Sequence, residues 1–248
     1  MAKIISFANQ KGGVAKTTSS FNIAVGLAQR GFKVLAVDLD PQASLTIYAG
    51  LEPYAFEKSI VDVLRNPEEK IKDCVCDLRK NLHILTSRIE LANVENELLG
   101  RMGREFVLGR ALKSVDLEYD YIVIDCPPQL STLTINALAC TDKLIIPCKT
   151  DYLAYRGLEY LLSTVNVIRE HFKTDIEVLG VLATLFDSRV KDDKEILELL
   201  QEEHIVIGVI KRAAQAKKGM YDGKASIEYL PNSDISKEYE KVIDLILK

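Results

Sequence analysis

The 248-residue sequence predicts a doubly wound α/β fold, a mostly parallel sheet with helices on both faces. Two observations carry this. Apolar runs of strand length alternate along the chain with longer stretches of helical period. Most of the runs are continuous in Val, Ile and Leu rather than alternating, which means burial on both faces of a parallel sheet.

The first strand is Lys3–Ala8, and the first helix is Thr17–Arg30 with Gly31 where a C-terminal cap belongs. Lys33–Val37 forms the second strand. Gly50–Lys80 has no clear period and reads as an irregular, mobile insertion. Leu82–Thr86 is the next strand, followed by helices over Ile89–Leu99 and Glu105–Val115. Strand Tyr121–Asp125 precedes helix Thr132–Ala139. Strand Lys143–Pro147 precedes helix Leu153–His171. Strand Val178–Phe186, helix Lys194–Glu202, strand Ile205–Ile210 and helix Ser236–Leu247 complete the order. Without a repeat or long linker, residues 1–248 read as one domain.

Composition narrows the class. With 48% apolar and 27% charged residues the chain matches ordinary globular proteins. The net charge of −4 argues against a wholly basic nucleic-acid binder and leaves room for a local basic patch. Five scattered cysteines, with Cys74 and Cys76 lacking a second pair, fall short of a zinc site and suggest free thiols in a reducing cytosol. Met1–Ala8 is too short and too soon interrupted for a signal peptide. No apolar run reaches the roughly 18 residues of a membrane-spanning helix.

After the first strand comes Asn9-Gln10-Lys11-Gly12-Gly13-Val14-Ala15-Lys16-Thr17-Thr18, then a helix. Strand, glycine-bearing loop, Lys-Thr and helix is the setting of a phosphate-binding loop. Glycines turn backbone N–H groups around an anion, and the helix N-terminus adds its positive end. Lys16 is placed to neutralise phosphate charge, and the Thr17 hydroxyl to ligate Mg²⁺. The common pattern G-x-x-x-x-G-K-[ST] fails at Gln10 and Ala15. The variant K-G-G-x-G-K-[ST], which adds Lys11, fails only at Ala15. A positive φ there would strain alanine, whereas a negative φ would tolerate it, and the pattern fits both.

Two acids, Asp38 and Asp40, close the second strand, at the sheet end where α/β folds bind ligands. One suits water-mediated support of Mg²⁺ and the other the orientation of an attacking water. Tyr121-Ile122-Val123-Ile124-Asp125 is an apolar strand ending in an acid, the Walker B arrangement, which sets Asp125 near Mg²⁺.

Taken in order, these segments resemble the ParA/Soj chromosome and plasmid partition ATPases, whose phosphate loops deviate from the common pattern. The matching residues are Lys11–Thr18, Val37–Gln42, Asp120–Pro128 with Leu133–Leu138, and Phe186–Arg189. Only a few residues precede the first strand, so the resemblance is to the short form, without the N-terminal DNA-reading extension. The resemblance implies ATP as the nucleotide and an ATP-sandwich homodimer. It implies that Lys11 reaches the nucleotide of the other subunit and that Asp40 helps activate water. It further implies sequence-independent DNA binding by the ATP-bound dimer. Hydrolysis, slow alone, would be stimulated by a ParB-like centromere-binding protein. The place in the cell would be cytoplasmic, on the nucleoid. Departures are Ala15, Gln129 where the family usually has Ser, and Asp151-Tyr152 where many members have Glu-Tyr.

Arg189 and Lys191, at the start of a helix, and Lys211, Arg212, Lys217 and Lys218 are the basic residues for backbone contacts with DNA. The plainer reading is a solvated face, with Arg189 paired to Asp192 or Asp193. A MinD-like membrane switch is the main alternative on the same core. It requires an amphipathic basic tail, and Ser236–Lys248, with Glu238, Glu240 and Asp244 on its polar face, reads instead as a packed final helix. A metabolic relative, such as a cobalamin or biotin synthesis enzyme, is a third class. Cys140 and Cys148 lack the setting of an iron–sulfur reductase.

Overall fold

A computed structural model describes residues 1–66, 70–213, 219 and 221–248. Its centre is an eight-stranded sheet. The strands are β1 (Lys3–Phe7), β2 (Val34–Asp38), β3 (Val75–Arg79), β4 (Leu82–Leu85), β5 (Tyr121–Asp125), β6 (Lys143–Lys149), β7 (Glu177–Phe186) and β8 (Val206–Lys211). Across the sheet they run β3-β4-β2-β5-β1-β6-β7-β8. Every neighbouring pair is parallel except β3 with β4.

Alternate residues of each strand enter opposite cores, which is why the runs are continuously apolar. Leu35, Val37, Ile122 and Ile124 join one core. Val34, Ala36, Val123, Ile5 and Phe7 join the other. The second core is covered by α1 (Lys16–Gln29) and by the last helix, here α10 (Asp234–Ile246). The first is covered by α3 (Ile60–Arg65), α4 (Leu91–Leu98), α5 (Val107–Lys113), α6 (Thr132–Leu138), α7 (Tyr152–Phe172) and α8 (Lys191–Glu203). In α10, Ile235, Tyr239, Val242, Ile243 and Ile246 are buried at helical spacing, so its apolar face is packed, as expected.

Helix α2 (Ser44–Tyr48), helix α3, helix α9 (Ser226–Tyr229) and strand β3 go beyond the sequence reading. The insertion expected over Gly50–Lys80 is therefore structured in part. β3 turns into β4 through Lys80-Asn81, with Asn81 at φ +63°, a tight hairpin connection that an Asn suits. β3 also places the half-buried Cys76 on the outer edge of the sheet. None of the five cysteines is in a disulfide.

The chain leaves β1 to one side for β2, and later crosses from β5 to β6 on the other side of β1. That reversal opens a crevice at the strand C-termini. Register fills it: Phe7 is level with Asp125, and Asp125 with Asp38.

Candidate nucleotide site

The loop after β1 is fastened at three points. Asn9 Nδ2 donates to the Pro147 carbonyl at 2.7 Å, and Asn9 Oδ1 accepts the Lys11 amide at 2.9 Å. Thr184 Oγ1, on β7, donates to the carbonyl of buried Val14 at 3.0 Å. Two residues turn left-handed, Gly13 at φ +72° and Ala15 at φ +61°. Ala15 thus takes the conformation that favours glycine. It is also the N-cap of α1 and brings no side-chain acceptor, so the amides at the helix start face the loop without a side-chain cap.

Lys16 is buried, and its Nζ donates to the Lys11 carbonyl at 3.1 Å. Burial pulls its pKa down, and the charges of Asp125 and Asp40 oppose that. The ammonium lies inside the ring formed by the loop, ready for an anion in place of a carbonyl. Thr17 and Thr18 follow on the first turn of α1.

The three acids are not equivalent. β2 ends at Asp38, one residue past the expected Val37 and short of Asp40. Asp38 is fully buried, and both its oxygens are engaged. Oδ2 accepts the Thr46 amide and hydroxyl, each at 2.8 Å, and Oδ1 accepts the Asp40 amide at 3.2 Å. Asp40 lies on the turn beyond, where its Oδ1 accepts the Gln42 amide at 2.9 Å. Asp125 is fully buried, with neither oxygen in a well-formed hydrogen bond. Burial first, and then the neighbouring Asp38 charge, push its carboxyl well above the usual carboxylate range. Thr17 and Lys16 offset this only in part. An unpartnered buried carboxylate beside a hydroxyl is the donor set that a small hard cation compensates. The structure thus leaves Asp125, rather than the fully engaged Asp38, open to a cation.

Lys11 leans away from Lys16. Its Nζ pairs with Asp151 Oδ1 at 2.5 Å, and Lys149 Nζ pairs with Asp151 Oδ2 at 2.9 Å. Asp151 also caps α7 by accepting the Ala154 amide at 2.9 Å. Burial works against this carboxyl, yet the two lysines and the amide hold it down at about 2.

The basic residues divide. Arg189 lies in the turn before α8 rather than on the helix, and α8 starts at Lys191, three residues ahead of the expected Lys194. Arg189 pairs with Asp187 at 2.7 Å, not with Asp192 or Asp193; Asp193 instead accepts Thr150 Oγ1 and the Asp187 amide, both at 2.8 Å. Lys191 pairs with Glu195 at 3.3 Å. Lys211, the last residue of β8, pairs with Asp234 at 3.0 Å. The Arg212 amide donates to the Phe186 carbonyl at 2.9 Å, which brings Arg212 beside Asp187. Arg189, Lys211 and Arg212 therefore share the C-terminal ends of two adjacent strands. Lys217 and Lys218 lie outside the described residues.

Sequence reasoning missed Thr46 and Ser87, which belong to the acid cluster: the Ser87 hydroxyl donates to the Asp40 carbonyl at 2.7 Å, and its amide to Thr46 Oγ1 at 3.0 Å. Their positions, remote from the loop in sequence, gave no spacing to follow.

A family profile described as an AAA domain matches residues 2–178. The sporulation initiation inhibitor protein Soj of Bacillus subtilis is 39% identical over 94% of this chain and 93% of its own length. The chain belongs to the ParA/Soj family of partition ATPases. Among solved structures, this ParA/Soj chain is similar to a plasmid partition protein of Borrelia burgdorferi bound to AMPPNP. That match has 28% identity and a TM-score of 0.84, covering 100% of this chain and 99% of that one. It is also similar to cobyrinic acid a,c-diamide synthase of Mycobacterium smegmatis with a bound ATP analogue and magnesium. There the identity is 32% and the TM-score 0.85, covering 100% of this chain and 95% of that one. Relative to the ParA/Soj loop pattern, the departure at Ala15 falls on a left-handed residue.

Proposed function

We propose that this ParA/Soj protein acts as one domain, an ATP-driven switch that positions DNA. The observation that carries the reading is the buried, unpartnered Asp125 carboxylate beside Thr17, with Lys16 enclosed by an uncapped helix start. Such a cluster is stable with a cation and a polyphosphate in it. The Thr17 hydroxyl, with Asp125 acting through water, would hold magnesium, which would supply positive charge against the β- and γ-phosphates. Asp38, expected beside Thr17 and Asp125, is taken up by Thr46 and the Asp40 amide. The backbone of Lys11–Thr18 cradles the phosphates, and Lys16 supplies positive charge. Asp40, on its turn, orients the water that attacks the terminal phosphorus, giving ADP and phosphate. Lys11 leaves Asp151 to serve the nucleotide of a second copy, so that the ATP state is a sandwich dimer.

Dimerisation doubles the patch of Arg189, Lys191, Lys211 and Arg212, and the dimer holds DNA by its phosphates without reading bases. A ParB-like protein speeds hydrolysis and releases the DNA. The cellular place is then the cytoplasm, on the nucleoid. The membrane-switch alternative draws no support from α10, whose apolar face is buried against α1 and β8. Among the described residues no helix is long and apolar enough to cross a membrane.

The test is DNA co-sedimentation with ATP, with ADP and without nucleotide. Binding is expected with ATP alone, and equal binding in all three would overturn the switch. In calorimetry, Lys16→Ala should lose several kcal/mol of ATP affinity, about what a buried charge-assisted set of contacts supplies.

A further inference from the structure

Asp40 is the first residue past β2 that no strand ladder holds. Asp38 is still level with Asp125, and the Leu39 amide still donates to the Asp125 carbonyl at 3.0 Å. The Asp40 backbone is fixed instead by a closed ring of buried hydrogen bonds. Its amide donates to Asp38 Oδ1, Asp38 Oδ2 accepts from Thr46, Thr46 Oγ1 accepts from the Ser87 amide, and Ser87 Oγ returns to the Asp40 carbonyl. Asp38, Thr46 and Ser87 are each 0% exposed and Asp40 is 9% exposed, so water does not compete for these bonds.

The ring is anchored outside the site. The Thr86 carbonyl accepts the Ile60 amide at 2.9 Å. Arg88 donates to Ser59 Oγ at 3.2 Å and to Asp62 at 3.0 Å, on the capping box of α3. The turn bearing Asp40 is therefore set by α2, by the end of β4 and by the start of α3.

We infer that Thr46 and Ser87 are positioning residues for hydrolysis: their hydroxyls form a brace that fixes Asp40 over the phosphate loop. The inference rests on the reading of Asp40 as the group that orients water. Neither hydroxyl faces the loop, since each is occupied within the ring. They act on where Asp40 stands, not on the nucleotide. Displacing an orienting group by about 1 Å costs on the order of 10²-fold in rate.

The experiment measures single-turnover ATP hydrolysis, affinity for a fluorescent ATP analogue, melting temperature, and amide exchange over Asp38–Gln42. It compares wild type with Ser87→Ala, Thr46→Val, Thr46→Ser and Asp40→Asn. Ser87→Ala and Thr46→Val are expected to slow the chemical step by about 10- to 100-fold while affinity stays within about threefold. Exchange over Asp40–Gln42 should rise in both. Thr46→Ser keeps the hydroxyl and should restore rate and protection. Normal turnover in Ser87→Ala and Thr46→Val beside a slow Asp40→Asn would overturn the brace and leave the reading of Asp40 standing. Normal turnover in Asp40→Asn would overturn both. Rate, affinity and melting temperature falling together, without rescue by Thr46→Ser, would mark a purely structural role and also overturn the brace. Should Ser87→Ala not fold, the Thr46→Val and Thr46→Ser pair decides alone.

Discussion

At the residue scale, Ala15 holds φ +61°, where its methyl crowds the following carbonyl. The sequence showed the alanine but not the sign of φ, because the loop pattern suits either backbone. Glycine there would remove about 1–2 kcal/mol of strain and return part of it as freedom in the unfolded chain. Ala15→Gly is thus expected to stabilise by about 1 kcal/mol, raising the melting temperature by roughly 2–4 °C, and a fall on calorimetric scanning would contradict the strain. Asp151 gives a pH prediction. Its folded pKa, about 2, lies below the ordinary carboxylate value near 3.9. The stability it contributes is therefore present above about pH 4 and is lost as pH falls toward 2. The melting-temperature gap between wild type and Asp151→Asn should be constant from about pH 5 to 7 and close below about pH 4. A gap that widens in acid would reverse the assignment.

At the element scale, the long helices and the central strands were legible because each repeats one period for many residues. The hairpin of β3 and β4 was not, although Lys80-Asn81 was its signal. β3 is short, lies on an edge and buries little, so alternation is weak there. The five-residue α2 escaped for a related reason: it starts from Ala43 at φ +52°, without a side-chain cap. On the opposite flank, β7 and β8 approach each other closely at Gly180. Its φ is +149°, and an added Cβ would lie 2.5 Å from the Ile205 carbonyl. Gly180→Ala should cost about 2 kcal/mol, roughly 4–8 °C in melting temperature, with amide exchange rising first in β8. An unchanged melting curve would show that this approach can relax freely.

At the scale of the whole molecule, one end of the sheet carries the phosphate loop, the acids and the basic patch. The loop and acids were legible in sequence because each group is contiguous and directly follows a strand. The brace was not, because it joins residues 46 and 87 through folding alone. The patch shows the limit of counting charges. With a net charge of −4, its described cations stand beside acids: Arg189 with Asp187, Lys191 with Glu195 and Lys211 with Asp234. DNA would have to outcompete those acids, so screening weakens both sets of contacts. With ATP present, Arg189→Ala is expected to reduce the log–log salt slope by about 0.9 per patch, equally on two unrelated duplexes. A loss confined to one duplex would mean base reading instead.

The distribution of thiols has a practical side. Burial pushes the Cys140 and Cys148 thiols up to about 12 and raises the Cys126 thiol well above its ordinary value, while Cys74 is buried. Thiolate is the reactive form, so these sites resist alkylation in the native protein. Cys76 is half-buried on β3, four strands from β1, or roughly 19 Å at ordinary strand spacing. A maleimide dye should therefore enter the native protein first at Cys76, and all five cysteines in guanidinium, as peptide mapping would show. The natural chain thus carries its own attachment point for a fluorophore, on the edge of the sheet, where a tag can follow the protein in a cell without crowding the phosphate loop.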